Sequence, residues 1–167
     1  AMNMSETYKT SSIDTISKIN GSANILSETY YVGLKGDEIA DYTFNYKAGG
    51  TIVKSTSFFF YGDSTRASEA DPEHAMTTSE SYKNTVTDIS TGKITSRTYY
   101  TGEKGDEIAV YSHNYGLVVG VWQIKSTSFF YYNGKLATDP TVTTDDAMTM
   151  SKSYKGEFST EVADKLT

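Results

Sequence analysis

The heptapeptide Ser55-Thr56-Ser57-Phe58-Phe59-Phe60-Tyr61 returns 71 residues later as Ser126-Thr127-Ser128-Phe129-Phe130-Tyr131-Tyr132. Everything around it is duplicated as well. The segment from Ala1 to Lys9 recurs from Ala75 to Lys83 and again from Ala147 to Lys155, at spacings of 74 and 72 residues. Between these, Thr29 to Ala40 matches Thr98 to Ala109 at an offset of 69. Self-similarity of this kind marks a repeat array, in which each unit leans on its neighbours. The units are residues 1–74, residues 75–146 and a partial third repeat or C-terminal cap, residues 147–167. Copy two carries two extra residues between Tyr115 and Lys125. Both flanks stay in phase, so the insertion is expected in a turn.

Each copy reads as four short strands. The first spans Ser5 to Lys9 and, in copy two, Ser79 to Lys83. The second is Asn24 to Val32, matched by Lys93 to Thr101; the third is Glu38 to Tyr46, matched by Glu107 to Tyr115. The fourth runs from Thr51 to Tyr61, matched by Val121 to Tyr132. The 20 Ser, 24 Thr, 14 Tyr and 7 Phe residues support this, because Thr, Tyr and Phe suit a pleated, half-buried surface. Turn chemistry separates the strands at Asn20-Gly21, Lys35-Gly36-Asp37, Gly49-Gly50, Thr91-Gly92, Lys104-Gly105-Asp106 and Asn133-Gly134, where Gly supplies positive φ. Links this short join antiparallel neighbours. The links Thr10 to Lys18 and Arg66 to His74 are longer and suit loops or a brief helical turn. The expectation is all-β: an elongated antiparallel β-meander of two units plus a closing fragment.

Period-two alternation puts Ala40, Tyr42, Phe44 and Tyr46 on one face of the third strand, opposite Ile39, Asp41, Thr43 and Asn45. In the fourth strand Phe58 and Phe60 face one way, Phe59 and Tyr61 the other. A strand aromatic on both faces must be covered on both, by a second sheet or a neighbouring unit, and the core is expected there. The tail from Glu157 to Thr167 leaves the pattern and suits a last short strand or a helical cap.

Chemistry is harder to find. Net charge is −6 and spread along the chain, which argues against nucleic acid, since phosphates call for a basic stripe. There is no cysteine, hence no disulfide, thiolate metal site or Cys nucleophile. No apolar run approaches the length of a membrane span, and no signal peptide is present; Ala1-Met2 already fits the repeat seen at Ala75-Met76 and Ala147-Met148, so the chain is expected to be cut out of something longer, any targeting signal being lost with the cut. The Lys-Gly-Asp-Glu blocks (Lys35 to Glu38, Lys104 to Glu107) place Asp37, Glu38 and Asp41 where a Ca²⁺ site is conceivable. Copy two has Val110 in place of Asp41, however, and a solvated Gly-Asp turn is the simpler reading. His74 and His113 occupy non-equivalent positions without catalytic partners and read as surface or packing residues. No nucleophile elbow or phosphate-binding loop occurs. The chain is therefore read as non-enzymatic, without cofactor or metal. One binding surface stands out: the rings Tyr42, Phe44 and Tyr46, with Tyr111 and Tyr115 in copy two, can stack on sugars or pack across strands.

The run Gly92-Lys93-Ile94-Thr95-Ser96-Arg97-Thr98-Tyr99-Tyr100, repeated more loosely from Gly50 to Phe58 and from Gly120 to Phe129, is a Gly turn leading into a strand that ends in aromatics. It resembles the Tyr-Asp (RHS-type) repeats of large bacterial surface and secreted proteins, although the Tyr-Asp dipeptide is absent and the period is longer. The resemblance implies an extracellular array of β-hairpins and transfers no functional residue. The function expected is a structural or adhesive segment of a larger bacterial cell-surface or secreted protein, its partners being neighbouring repeat units or copies of itself. The alternative is a carbohydrate-binding module that uses the Tyr/Phe rows on polysaccharide.

Overall fold

A computed structural model describes residues 1–9 and 24–161. The Thr10 to Lys18 link, the Asn20-Gly21 turn and the tail beyond Glu161 lie outside the described residues. The chain forms one open antiparallel sheet. Its strands are β1 (Met4–Tyr8), β2 (Ile25–Val32), β3 (Ile39–Tyr46), β4 (Val53–Tyr61), β5 (Thr65–Arg66), β6 (Met76–Lys83), β7 (Ile94–Thr101), β8 (Ile108–Val118), β9 (Val121–Tyr132), β10 (Lys135–Leu136) and β11 (Met148–Lys155). The long strands lie side by side in chain order, and β11 closes the series on β9. The two-residue strands β5 and β10 are short hairpin returns on the ends of β4 and β9. All four strands expected per unit are present, and no α-helix occurs among the described residues.

The unit boundary is as well paired as the interior. The ladder between β4 and β6 has seven residue pairs, as does that between β9 and β11, against five between β3 and β4. Register carries a stagger. One row across the sheet runs Met4–Tyr30–Tyr42–Phe58–Glu80–Arg97–His113–Thr127–Tyr154. The repeat equivalent of Met4 is Thr78, yet the row meets Glu80. Each unit is thus displaced by two residues along the strands, about 6.6 Å at roughly 3.3 Å per residue.

A lone sheet has no second layer to cover it, and here the connections do that work. The core cluster of Phe58, Tyr82 and Val86 joins β4 and β6 to the link that follows β6, with Ile89 beside it. A second cluster packs Tyr61, Ile39 and Ala67 with Phe59, Ala70 and Met76, using the link that follows β5. Phe58 is therefore covered by the neighbouring unit rather than by a second sheet. Two buried threonines fix the first kind of connection. The Thr56 hydroxyl donates to the Asn84 carbonyl at 2.8 Å and accepts the Val86 N–H at 3.0 Å. In copy two the Thr127 hydroxyl donates to the Gly156 carbonyl at 2.9 Å and accepts the Phe158 N–H at 3.1 Å. Both threonines are fully buried. The chain leaves the strand through positive φ at Asn84 (63°) and Gly156 (106°), the region that Asn and Gly enter most readily.

Two local expectations are corrected. The insertion in copy two lengthens the strands: β8 and β9 run on to a two-residue turn at Val119-Gly120, where copy one has a wider loop from Lys47 to Ile52. Thr91-Gly92 ends a single 3-10 turn, Ile89–Thr91, with Gly92 at φ −75°. Gly is needed there for space, since a Cβ would lie 2.4 Å from the Tyr82 ring. Of the tail expected as a last strand or cap, the described part, Glu157 to Glu161, forms neither, and the rest lies outside the described residues.

Replacing Thr56 with Val keeps the shape and removes both hydrogen bonds, leaving the buried Val86 N–H without its acceptor. We expect a loss of about 1–3 kcal/mol in chemical denaturation, with Thr56→Ser retaining most of the stability.

Candidate functional site

The aromatic face builds up from cross-strand pairs. Tyr30 and Tyr42 stack with centroids 4.6 Å apart, and Tyr99 and Tyr111 repeat the stack at 4.5 Å. Phe44 meets Tyr42 edge-on at 5.2 Å, where copy two sets His113 against Tyr111 at the same separation. Phe58 and Phe129 extend the rows. Of the rings singled out from sequence, Tyr42, Phe44, Tyr46, Tyr111 and Tyr115 are all half-buried. The first four are engaged within the sheet, Tyr46 by donating its hydroxyl to Glu28 at 2.7 Å. Burial and then the Glu28 carboxylate raise the Tyr46 pKa above its ordinary value. His113 is buried, with Nε2 2.9 Å from the Phe158 carbonyl.

Ala40 does not share a face with Tyr42, as alternation suggested. Pairing steps from Tyr30–Tyr42 to Tyr31–Ala40, so Asp41 is an extra residue in β3, and Val110 is its counterpart in β8. Such a bulge re-aims a side chain. It brings Asp41 to a cleft it shares with Tyr42, Phe44 and Phe58, where Arg66 donates to Oδ1 from Nε at 3.0 Å and Nη2 at 2.6 Å. The guanidinium also lies 4.5 Å over the Phe58 ring. The matching cleft in copy two is lined by Val110, Phe129 and Leu136. An ion pair in one unit has become an apolar pair in the other. Breaking one half of such a pair strands a charge, while replacing both can be neutral. Asp41→Val and Arg66→Leu should each cost about 1–2 kcal/mol and the double variant much less; a double-mutant cycle by denaturation checks this.

Beside this face, Arg97 reaches Glu80 Oε1 through Nε at 2.6 Å and also through Nη2. Tyr82 donates to the other Glu80 oxygen at 2.5 Å. An open cleft of about 400 Å³ lies over this ion pair, walled by Phe60, Thr78 and Tyr99. In copy one the ladder instead opposes Glu6 to Glu28. Tyr8 donates to Glu6 at 2.8 Å, while Tyr46 and the more distant Tyr30 serve Glu28. The opposite face of the sheet is a hydroxyl ladder, with Thr29–Thr43 at 2.8 Å, Ser57–Ser81 at 3.2 Å, Thr98–Ser112 at 3.1 Å and Ser128–Ser153 at 2.7 Å.

The Lys-Gly-Asp-Glu blocks are hairpin turns whose Glu reaches sideways. Glu38 accepts the Met2 N–H at 2.8 Å and the Gly36 N–H at 2.9 Å, and Glu107 accepts those of Met76 and Gly105 at 2.8 and 3.0 Å. The motif thus ties the β2–β3 turn to the start of β1, and the β7–β8 turn to the start of β6. Among the described residues, no three His, Asp or Glu side chains gather as a metal site. The Met2 and Gly36 amides hold the Glu38 carboxyl below its ordinary pKa of 4.5. Its contribution to stability is therefore complete above the ordinary carboxyl pKa and is lost as pH falls through the lower folded value. Glu38→Gln should reduce the slope of stability against pH below about 4.5, measured by thermal melts at stepped pH.

Sequence reasoning missed Arg66, Glu80, Arg97, Glu28 and Lys152, although the repeats align Glu6, Glu80 and Lys152 at one position and Glu28 with Arg97 at another. No protein-family model, curated protein or solved structure matches this chain.

Proposed function

We propose that this chain is a non-enzymatic structural or adhesive β-repeat segment of a larger bacterial extracellular or cell-surface protein. The observation that supports it is the boundary ladder: β4 meets β6 as β9 meets β11, so the contact that joins units is itself repeated. Among the described residues the sheet has no closing strand, and its edge strands β1 and β11 carry the motif that β6 carries in the middle. The likeness to Tyr-Asp repeats points the same way. A chain with residues 75–146 inserted once or twice more should lengthen in small-angle scattering by about 19 Å per unit, four strands at roughly 4.8 Å each. A particle that thickens without lengthening would overturn this reading.

The second reading is a carbohydrate-binding module using the Tyr/Phe rows. It is favoured by one feature, the cleft in which Phe60 and Tyr99 flank the Glu80–Arg97 pair. Retention on immobilised polysaccharides that is lost in Tyr99→Ala would support it.

A further inference from the structure

The two ends of the sheet are versions of one strand, and their charges do not match their places. In the middle of the sheet, Glu80 of β6 stands opposite Arg97 of β7 and forms an ion pair. At the first edge, the equivalent residues are Glu6 of β1 and Glu28 of β2, two carboxylates directly opposed. Glu28 is buried, and like charges facing each other across a ladder destabilise it. At the last edge, the residue equivalent to Glu6 and Glu80 is Lys152 of β11, whose outer side has no strand beside it among the described residues. The repeat shows what that side receives, because the same side of β6 is paired with β7. A β2-type strand carrying an acid at the Arg97 position would suit Lys152, and β2 with Glu28 is such a strand.

We propose that β11 of one molecule seats on β2 of a second copy in place of that copy's own β1, joining molecules head to tail. This rests on the reading of the chain as an array segment and names its partner. Equivalent register pairs Met150 with Tyr30, Ser151 with Thr29, Lys152 with Glu28 and Tyr154 with Ile25, as β1 now pairs Met4, Ser5, Glu6 and Tyr8. The exchange turns a carboxylate–carboxylate opposition into an ion pair. The other β1 contacts have donors ready in β11. Met148 corresponds to Met2 and Met76, whose N–H groups bond Glu38 and Glu107. Ser151 corresponds to Ser5 and Ser79, whose hydroxyls lie 3.1 and 3.0 Å from those of Tyr31 and Tyr100. Met148 to Ser153 are exposed, and what β11 gives up is the Lys152 contact with Glu161 at 3.2 Å and its place 4.6 Å over the Tyr131 ring. What is displaced is small, since β1 has five residues and, among the described residues, pairs with β2 alone. Replacing a strand by its homologue from another copy is a low-cost route to assembly, and a head-to-tail contact that does not close propagates into a filament.

The chain has no cysteine, so single thiols report the contact directly. Thr29→Cys and Ser151→Cys chains, unfolded together, refolded at high concentration and oxidised, should give a disulfide-linked heterodimer. A Ser5→Cys/Thr29→Cys chain, which closes internally, shows that position 29 is folded and competent. Adding Lys152→Glu to the Ser151→Cys chain should lower the heterodimer yield roughly tenfold, because it restores two facing acids. Glu6→Lys in the Thr29→Cys chain, which gives Glu28 a partner within its own molecule, should lower it as well. The proposal is overturned if the control closes and no heterodimer forms, if Ser151→Cys links to Ser5→Cys instead, or if Lys152→Glu leaves the yield unchanged. None of these outcomes touches the lengthening of chains with inserted units, which tests the array reading separately.

Discussion

The sheet depends on a hydroxyl buried where a connection crosses it. A single antiparallel sheet cannot bury its faces against itself, and stable domains answer this with a second packed layer. Here the cover is a loop, and a loop laid over a sheet brings backbone amides and carbonyls that need partners. Thr56 and Thr127 supply them, each hydroxyl acting as donor and acceptor to residues two apart in the covering segment. Because that segment follows the first strand of the next unit, it covers the fourth strand of the unit before it. The cluster of Phe58, Tyr82 and Val86 accordingly draws on both sides of the repeat boundary. The period in the sequence and the packing unit are therefore out of phase.

The duplication also acts as an internal comparison. The stacked pairs Tyr30–Tyr42 and Tyr99–Tyr111 are kept in residue type and geometry, and so are the tyrosines that donate to the carbonyls of Ala40 and Ala109. Around them residues change in compensating sets. Asp41 with Arg66 becomes Val110 with Leu136, and Phe44 becomes His113 where Phe158 presents a carbonyl to it. The invariant pairs set strand spacing and register, whereas the variable ones fill the space left between strand and connection, which tolerates either charge satisfaction or apolar volume.

The strands were legible because repeats and period-two patterning agree, and the described turns, Gly92 excepted, because Gly falls where φ is positive. The bulges were not. Alternation reads smoothly through Asp41, and only the partner strand shows that Tyr31 meets Ala40 and not Asp41. Thr56 looked like one more polar residue in Ser-Thr-Ser; its burial comes from a segment almost thirty residues downstream. The aromatic rows were found, but sequence could not tell stacking on one another from stacking on a ligand. Register was the missing quantity throughout: the opposition of Glu6 and Glu28 exists only once β1 is aligned on β2.

That opposition gives the sheet a direction. Along the repeat, the first-strand position reads Glu6, Glu80, Lys152, and the second-strand position reads Glu28, Arg97. Acid meets acid at the first edge, acid meets base in the middle, and at the last edge stands a base whose acid, Glu161, comes from the following tail rather than from a neighbouring strand. Two first edges brought together would set acid against acid, and two last edges lysine against lysine. Only unlike ends are complementary, and charge at an interface acts chiefly on orientation and choice of partner. The ladder itself is indifferent to sequence, because backbone hydrogen bonds form between any two strands. One charged residue per strand, placed at the same register position in each unit, is enough to tell one end of the sheet from the other.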